Sequence, residues 1–184
     1  MQQVATAFRT ASGSVADTLN EQARRLSLPF RCDTKFLFDH PELKFLHEAW
    51  MRKAKGGELP FRADFDMQSL KPVISNIMIV ERHVGEGATL YRVRLAGFNI
   101  TEIFGDMNGQ LLNEALLGRF APRWQLCVDA ALSFRQPFRL TGNFEITQAN
   151  YLGGEMFIAP MRNAVGQATM TLSGTYFHSR TNGA

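Results

Sequence analysis

YRVRLAGFNITEIFGDMNG, residues 91–109, is the stretch that decides the fold class. Tyr91, Val93 and Leu95 alternate with Arg92 and Arg94, the period-two pattern of a strand with one buried face. After Gly97 the alternation stops. Phe98, Ile100, Ile103 and Phe104 suit a helical turn, and Gly105 and Gly109 close the run. A strand that hands the chain to a short helix lying back over its own sheet makes a shallow pocket, and function is expected there.

Outward from this stretch, Ile77–Arg82 reads as a preceding strand, joined to Leu90–Leu95 through a turn at Gly85-Glu86-Gly87. Leu111-Leu112 and Leu116-Leu117 suggest a short helix. A longer one covers about Arg119–Phe134, where Phe120, Trp124, Cys127, Val128, Ala131 and Leu132 keep a helical period. Gln136-Pro137 ends it. Three strands follow, Phe138–Phe144, Tyr151–Met161 and Ala168–His178, the last two joined at Asn163–Gly166. Pro160 argues for an edge position or a strand end. In the last strand Met170, Leu172, Gly174 and Tyr176 share one side and Thr169, Thr171, Ser173 and Thr175 the other. One face is expected to meet helices and the other water or a second polar surface.

Towards the N-terminus, Asp39–Ala54 predicts a helix with Asp39 as cap, Pro41 and Glu42 in its first turn, and Leu43, Leu46, Ala49 and Trp50 as its apolar stripe. The segment ELPFRADFDMQSLKPVI carries a one-turn helix around Asp66–Leu70. Residues 1–30 differ in composition. Val4, Phe8, Ala11, Val15, Leu19, Gln22 and Leu26 mark a broken heptad seam, read either as a segment that packs on a second subunit or as a tail with a helix from about Asp17 to Leu26.

At 184 residues, 45% hydrophobic and 20% charged, the chain supports one core with an appendage. A net charge of +3 without a Lys/Arg run gives nucleic-acid binding no footprint. No window is apolar for long enough to span a membrane, and no secretion signal opens the chain. Cys32 and Cys127 match no metal or redox spacing and read as reduced structural thiols of a cytoplasmic protein.

Several motifs now fall in one order: Trp50, then Leu59-Pro60-Phe61-Arg62-Ala63-Asp64-Phe65-Asp66 and Leu70, then Tyr91–Gly97, then Phe104-Gly105-Asp106-Met107-Asn108-Gly109. Gln136-Pro137 before a strand and Glu155–Met161 complete the set. Over about residues 39–178 the chain resembles a bacterial subfamily of PAS proteins often found as stand-alone domains. The resemblance implies an α+β fold: a PAS-like five-stranded antiparallel sheet with short helices and one longer helix on one face. It implies a pocket between them and a role in sensing or partner binding. Residues 1–38 are then an N-terminal extension, partly helical and a possible dimer contact, and residues 179–184 a tail. With six residues after His178, the chain is expected to carry no output domain of its own.

The resemblance supplies no ligand, so the cofactor stays unassigned. His40, His47, His83 and His178 lie away from the long helix and the central stretch, which argues against an axial haem ligand. The cysteine motif of photoreactive flavin domains is absent. No nucleophile–base or paired-carboxylate pattern appears, so no catalytic residue and no metal site are assigned. Asp64 and Asp66 read as caps, and Asp106 and Asn108 as turn formers.

The expected ligand-binding lining is Tyr91, Val93, Leu95, Phe98, Ile103, Trp124, Cys127, Phe157, Met170, Leu172 and Tyr176, with space opening at Gly97 and Gly174. Parity puts Arg92 and Arg94 on the outer face, and the position of Arg94 in the family motif implies a structural or docking salt bridge. With inverted parity an arginine would enter the pocket and favour a carboxylate ligand. The resulting reading is a non-enzymatic sensory module, a homodimer that binds a small molecule or a signalling protein partner, without nucleic acid or membrane. A small pocket enzyme of a cone-like α+β fold and a ligand-free interaction module are its rivals.

Overall fold

A computed structural model describes residues 13–85, 87–116, 120–147 and 150–179, without the side chains of 144–147, 150–152, 178 and 179. Val4, Phe8 and Ala11 of the N-terminal seam lie outside the described residues. In chain order the elements are α1 (Val15–Arg25), β1 (Phe30–Asp33), α2 (Pro41–Lys53), β2 (Ile77–Val84), β3 (Thr89–Ala96), α3 (Phe98–Phe104), α4 (Leu112–Ala115), α5 (Phe120–Phe134), β4 (Phe138–Thr147), β5 (Asn150–Arg162) and β6 (Ala168–Ser179).

The sheet is antiparallel and six-stranded, in the order β1-β4-β5-β6-β2-β3. Five strands were expected. The sixth is β1, which pairs with β4 from Phe30↔Gly142 to Asp33↔Arg139. Its four residues, FRCD, are too few for alternation to stand out. Gly142 admits it, because a Cβ there would sit 2.3 Å from Pro29 O and 2.6 Å from Phe30 Cα.

The short helices α3 and α4 and the long helix α5 share one face, as expected, and α2 adds a layer on the other. Along β2, Met78 and Val80 enter one core and Ile77 and Ile79 another; β5 divides Met156 and Ile158 from Phe157, Ala159 and Met161 in the same way. The inner core holds residues of α1, α3, α4 and α5. The outer core is closed by Leu43, Leu46 and Trp50 of α2 with Leu59, Phe65, Leu70 and Val73. A two-sided sheet satisfies both faces of β6: Met170 and Leu172 meet α2's layer, while buried Thr171, Ser173 and Thr175 turn the other way. Neither face of that strand is left to water over this span. Pro160 lies in an inner strand, but β4 pairs with β5 only as far as Phe138↔Ile158, so β5 is paired by a single strand at that point.

Helix α1 starts at Val15, two residues earlier than expected, because Ser14 accepts the Asp17 N–H at 3.2 Å and so acts as its cap. The cap of α2 is also not the one expected. His40 occupies the N-cap position without a side-chain capping bond. The carboxylate of buried Glu155 on β5 accepts the Asp39 and His40 N–H groups instead, at 3.0 and 3.1 Å.

Candidate functional site

The central stretch folds as its pattern indicates, strand β3 running through Gly97 into α3, with one irregularity that reorganises the pocket. Opposite the step from Ile79 to Val80, β3 advances from Leu95 to Val93, so Arg94 is an extra, bulged residue. Val93 therefore faces the inner core and Leu95 the outer one. Arg94 projects on the outer side, where its Nε lies 3.0 Å from Glu81 Oε2. Arg92 donates from Nη1 to Gly109 O at 2.6 Å, which ties the far end of the stretch back to the strand.

The expected lining consequently does not form one cavity. Tyr91, Val93, Trp124 and Cys127 belong to the inner core, beneath the helical cover. Leu95, Phe157, Met170, Leu172 and Tyr176 lie on the opposite face, against α2's layer. Ile103 is half-buried and Phe98, at the start of α3, is 65% exposed. The two glycines expected to open space do the reverse. A Cβ on Gly97 would lie 2.2 Å from Ile74 O, and one on Gly174 would lie 2.7 Å from Leu46 Cδ2. Both glycines admit close packing of neighbouring chain.

What the fold does assemble under the cover is a polar joint. Asp129, midway along α5 and buried, accepts the Tyr91 O–H of β3 at 2.6 Å and an Arg82 Nη1–H of β2 at 2.9 Å. One carboxylate thus fastens the longest cover helix to two strands. Burial, and then the bond to Asp129, push the Tyr91 phenol well above its ordinary pKa, so it stays a donor. Asp129 was passed over in the sequence because WQLCVDA reads as an apolar helix with one acid. The signal available was a lone acid inside the otherwise apolar run Leu126–Leu132. Elsewhere on the sheet, Ser173 donates to Met78 O at 3.2 Å, whereas the buried Thr175 Oγ1 has no hydrogen-bond partner among the described residues.

Helix α1 packs on α5 and β1, and its Val15, Leu19 and Ala23 enter the same inner core. Cys32 of β1 and Cys127 of α5 are buried there as free thiols. Burial raises both, Cys127 to about 12, with Arg123 pulling it down by less. Both stay protonated and unreactive in the folded chain.

On the outer face, beyond the N-terminus of α2, an open cleft of about 310 Å³ is lined by Asp39, His40, Thr141, Gly142, Asn143, Gly153, Gly154 and Glu155. Arg139 braces its floor, with Nε 2.5 Å from Glu155 and Nη1 3.0 Å from Asp33. Burial opposes the charge on Arg139, and the two carboxylates more than reverse that, so the guanidinium holds its proton more tightly than usual. Further along α2, His47 stacks on Phe36 at 4.2 Å, with Phe38 and Phe157 close by.

Burial lowers the His47 pKa, with Glu48 pulling the other way. The folded-state pKa is below the unfolded value of about 6.5, so the stability this neutral ring contributes is present above about 6.5 and is lost as pH falls through the folded value. Thermal melts at stepped pH are expected to show a smaller loss below about 6.5 in the His47→Phe variant than in the unaltered chain. Identical acid profiles would remove His47 from the account.

An antiparallel sheet covered by short helices and one long helix, with a buried polar joint between the long helix and two strands, defines the architecture as an α+β module. The family model of the PAS domain matches residues 38–176, so the chain belongs to the PAS domain family. The match contains β2 to β5 and most of β6, the five strands expected, and leaves α1 and β1 outside it. No curated protein matches the chain. Among solved structures, the light-state structure of the blue-light photoreceptor Aureochrome1 LOV is similar, at 14% identity and TM-score 0.37, over 62% of this chain and 89% of that one. That likeness is too distant to carry an inference. No helix of the described residues is long and apolar enough to cross a membrane, and no group of three or more His, Cys, Asp or Glu among them could hold a metal ion.

Proposed function

We infer that this PAS module is a non-enzymatic cytoplasmic regulator that signals by protein–protein contact. Its output is the α1–β1 unit, and its input is the seating of α5 on the sheet. The observation that carries this is the position of Asp129: it clamps α5 to β2 and β3, while α1 packs against the same helix. A partner that shifts α5 changes the surface on which α1 sits, and a shift in either direction biases the other. The asparagine substitution Asp129→Asn keeps the size of the side chain and removes its charge. Amide hydrogen exchange in α1 and β1 is expected to speed up several-fold beyond any change in β5 and β6, whose amides report global opening. A uniform change across all four elements would sink the coupling.

A small-molecule input is the second reading, favoured by the Thr175 hydroxyl, buried on the cover-facing side without a hydrogen-bond partner among the described residues. Native mass spectrometry of gently purified protein decides it. A bound mass supports a ligand, and bare polypeptide from several preparations counts against one.

A further inference from the structure

Strand β1 is one edge of the sheet, and the outward main-chain groups of its Cys32 are closed by one side chain. The Asn143 N–H donates to Pro29 O, which sets the alternation along β1 and β4: Pro29, Arg31 and Asp33 turn their main-chain groups toward β4, and Phe30 and Cys32 turn theirs away. The Phe30 N–H is taken up locally by Leu28 O at 2.9 Å. Cys32 is handled differently. Its N–H donates to Asn20 Oδ1 at 2.7 Å, and its C=O accepts from Asn20 Nδ2 at 2.9 Å. The amide of Asn20, on α1, therefore makes the pair of bonds that a residue of a neighbouring strand would make. An unplugged edge strand is a template for another strand.

We propose that β1 is a strand-pairing surface for a second copy of this chain, held shut by Asn20 and opened when α1 lifts. The sequence of β1 fits itself. In an antiparallel pair of two β1 strands centred on Cys32, each Cys32 exchanges both main-chain bonds with its counterpart, replacing the Asn20 amide. Arg31 then lies opposite Asp33 of the second copy, and Asp33 opposite its Arg31. These are two opposite-charge cross-strand pairs related by a two-fold axis. Arg31 is exposed, and it lies with Asp33 on the outer side of the strand. The pairing joins two sheets edge to edge without disturbing β4. It rests on the reading of α1–β1 as the output and names the partner of that output.

The test compares oligomeric state across a concentration series by sedimentation velocity and light scattering, using the full chain. Asn20→Leu removes the plug and keeps the branched shape of the side chain. The expected result is a dimer association constant raised by about tenfold or more over the unaltered chain, the size of losing two modest hydrogen bonds from the closed state. Adding Arg31→Glu, which places like charges opposite one another, is expected to return the protein toward the unaltered association. If the leucine variant does not fold, Asn20→Ser, too short to reach Cys32, is expected to dimerise in its place. A folded plug variant that associates no more than the unaltered chain overturns the proposal, as does a dimer indifferent to Arg31→Glu. Uniform exchange in the Asp129→Asn experiment would remove the coupling to α5 and leave the edge pairing standing. A monomeric plug variant would do the opposite.

Discussion

Glu155→Leu is expected to lower the stability of the folded chain by about 3–5 kcal/mol, the cost of breaking a buried ion pair from one side. Glu155 is 2% exposed and does three things at once. It pairs with Arg139, and it accepts the Asp39 and His40 N–H groups that open α2. Leucine satisfies none of these. Arg139 keeps Asp33 at 3.0 Å and has Asp39 only at 3.7 Å, a carboxylate that is 87% exposed. The first turn of α2 would lose both its N–H acceptor and the negative charge that favours a helix N-terminus. In a domain of this size the melting temperature should fall by roughly 10 °C. Adding Arg139→Met should recover part of the loss, since the second substitution removes the stranded charge. A calorimetric loss below about 1 kcal/mol, the range of an exposed pair, would show that the network is only a surface one.

The second large effect is Gly97→Ala. The backbone at Gly97 has φ of −72°, where alanine is at ease, so conformational freedom predicts no penalty. Packing predicts the reverse. The added Cβ would stand 2.2 Å from Ile74 O and 2.6 Å from the carbonyl carbon and oxygen of Ser75. These are main-chain atoms of the turn leading into β2, so they cannot swing aside as the tip of a side chain would. The Gly97 N–H also donates to Ile77 O at 2.9 Å, which holds the two segments together. The substitution must push β3 and the start of α3 away from β2, at about 1–3 kcal/mol. Urea denaturation is the measurement. Gly105→Ala, at φ of 84° and ψ of 173°, a region essentially confined to glycine, gives the contrasting case of a purely conformational cost of about 1–3 kcal/mol with open space around the new methyl. A neutral Gly97→Ala would mean that the 74–76 turn yields more easily than its packing implies.

Both effects concern how the helical layers are pinned to the sheet, and each depends on partners distant in the chain. The polar joint at Asp129 has the same character, being separated from Tyr91 by 38 residues and from Arg82 by 47. Structural control at such points suits a module whose helices report on one another.

The division between what was legible and what was not follows from the range of the forces. Alternation in Tyr91–Leu95 and in Ala168–His178, the helical period of Phe120–Phe134, and the stop at Gln136-Pro137 are local properties. They fix five strands, the principal helices and the order that marks a PAS domain. Facing is different. Period two assigns a strand two sides without saying what covers each, and a single bulged residue, Arg94, moves Leu95 to the other side of the sheet. Helix α2 was legible as a helix, but its place on the outer face depended on Gly174 leaving room for Leu43 and Leu46. Strand β1 has four residues and becomes a strand only because β4 offers an edge opposite Gly142. The sequence by itself determined the elements and their order, because hydrophobic period and chain-breaking residues act over a few positions. The tertiary structure alone decided which side each element covers, where the buried charges meet and what closes the edge, because those depend on groups that meet only once the chain has folded, from 12 residues apart for Asn20 and Cys32 to 116 for Asp39 and Glu155.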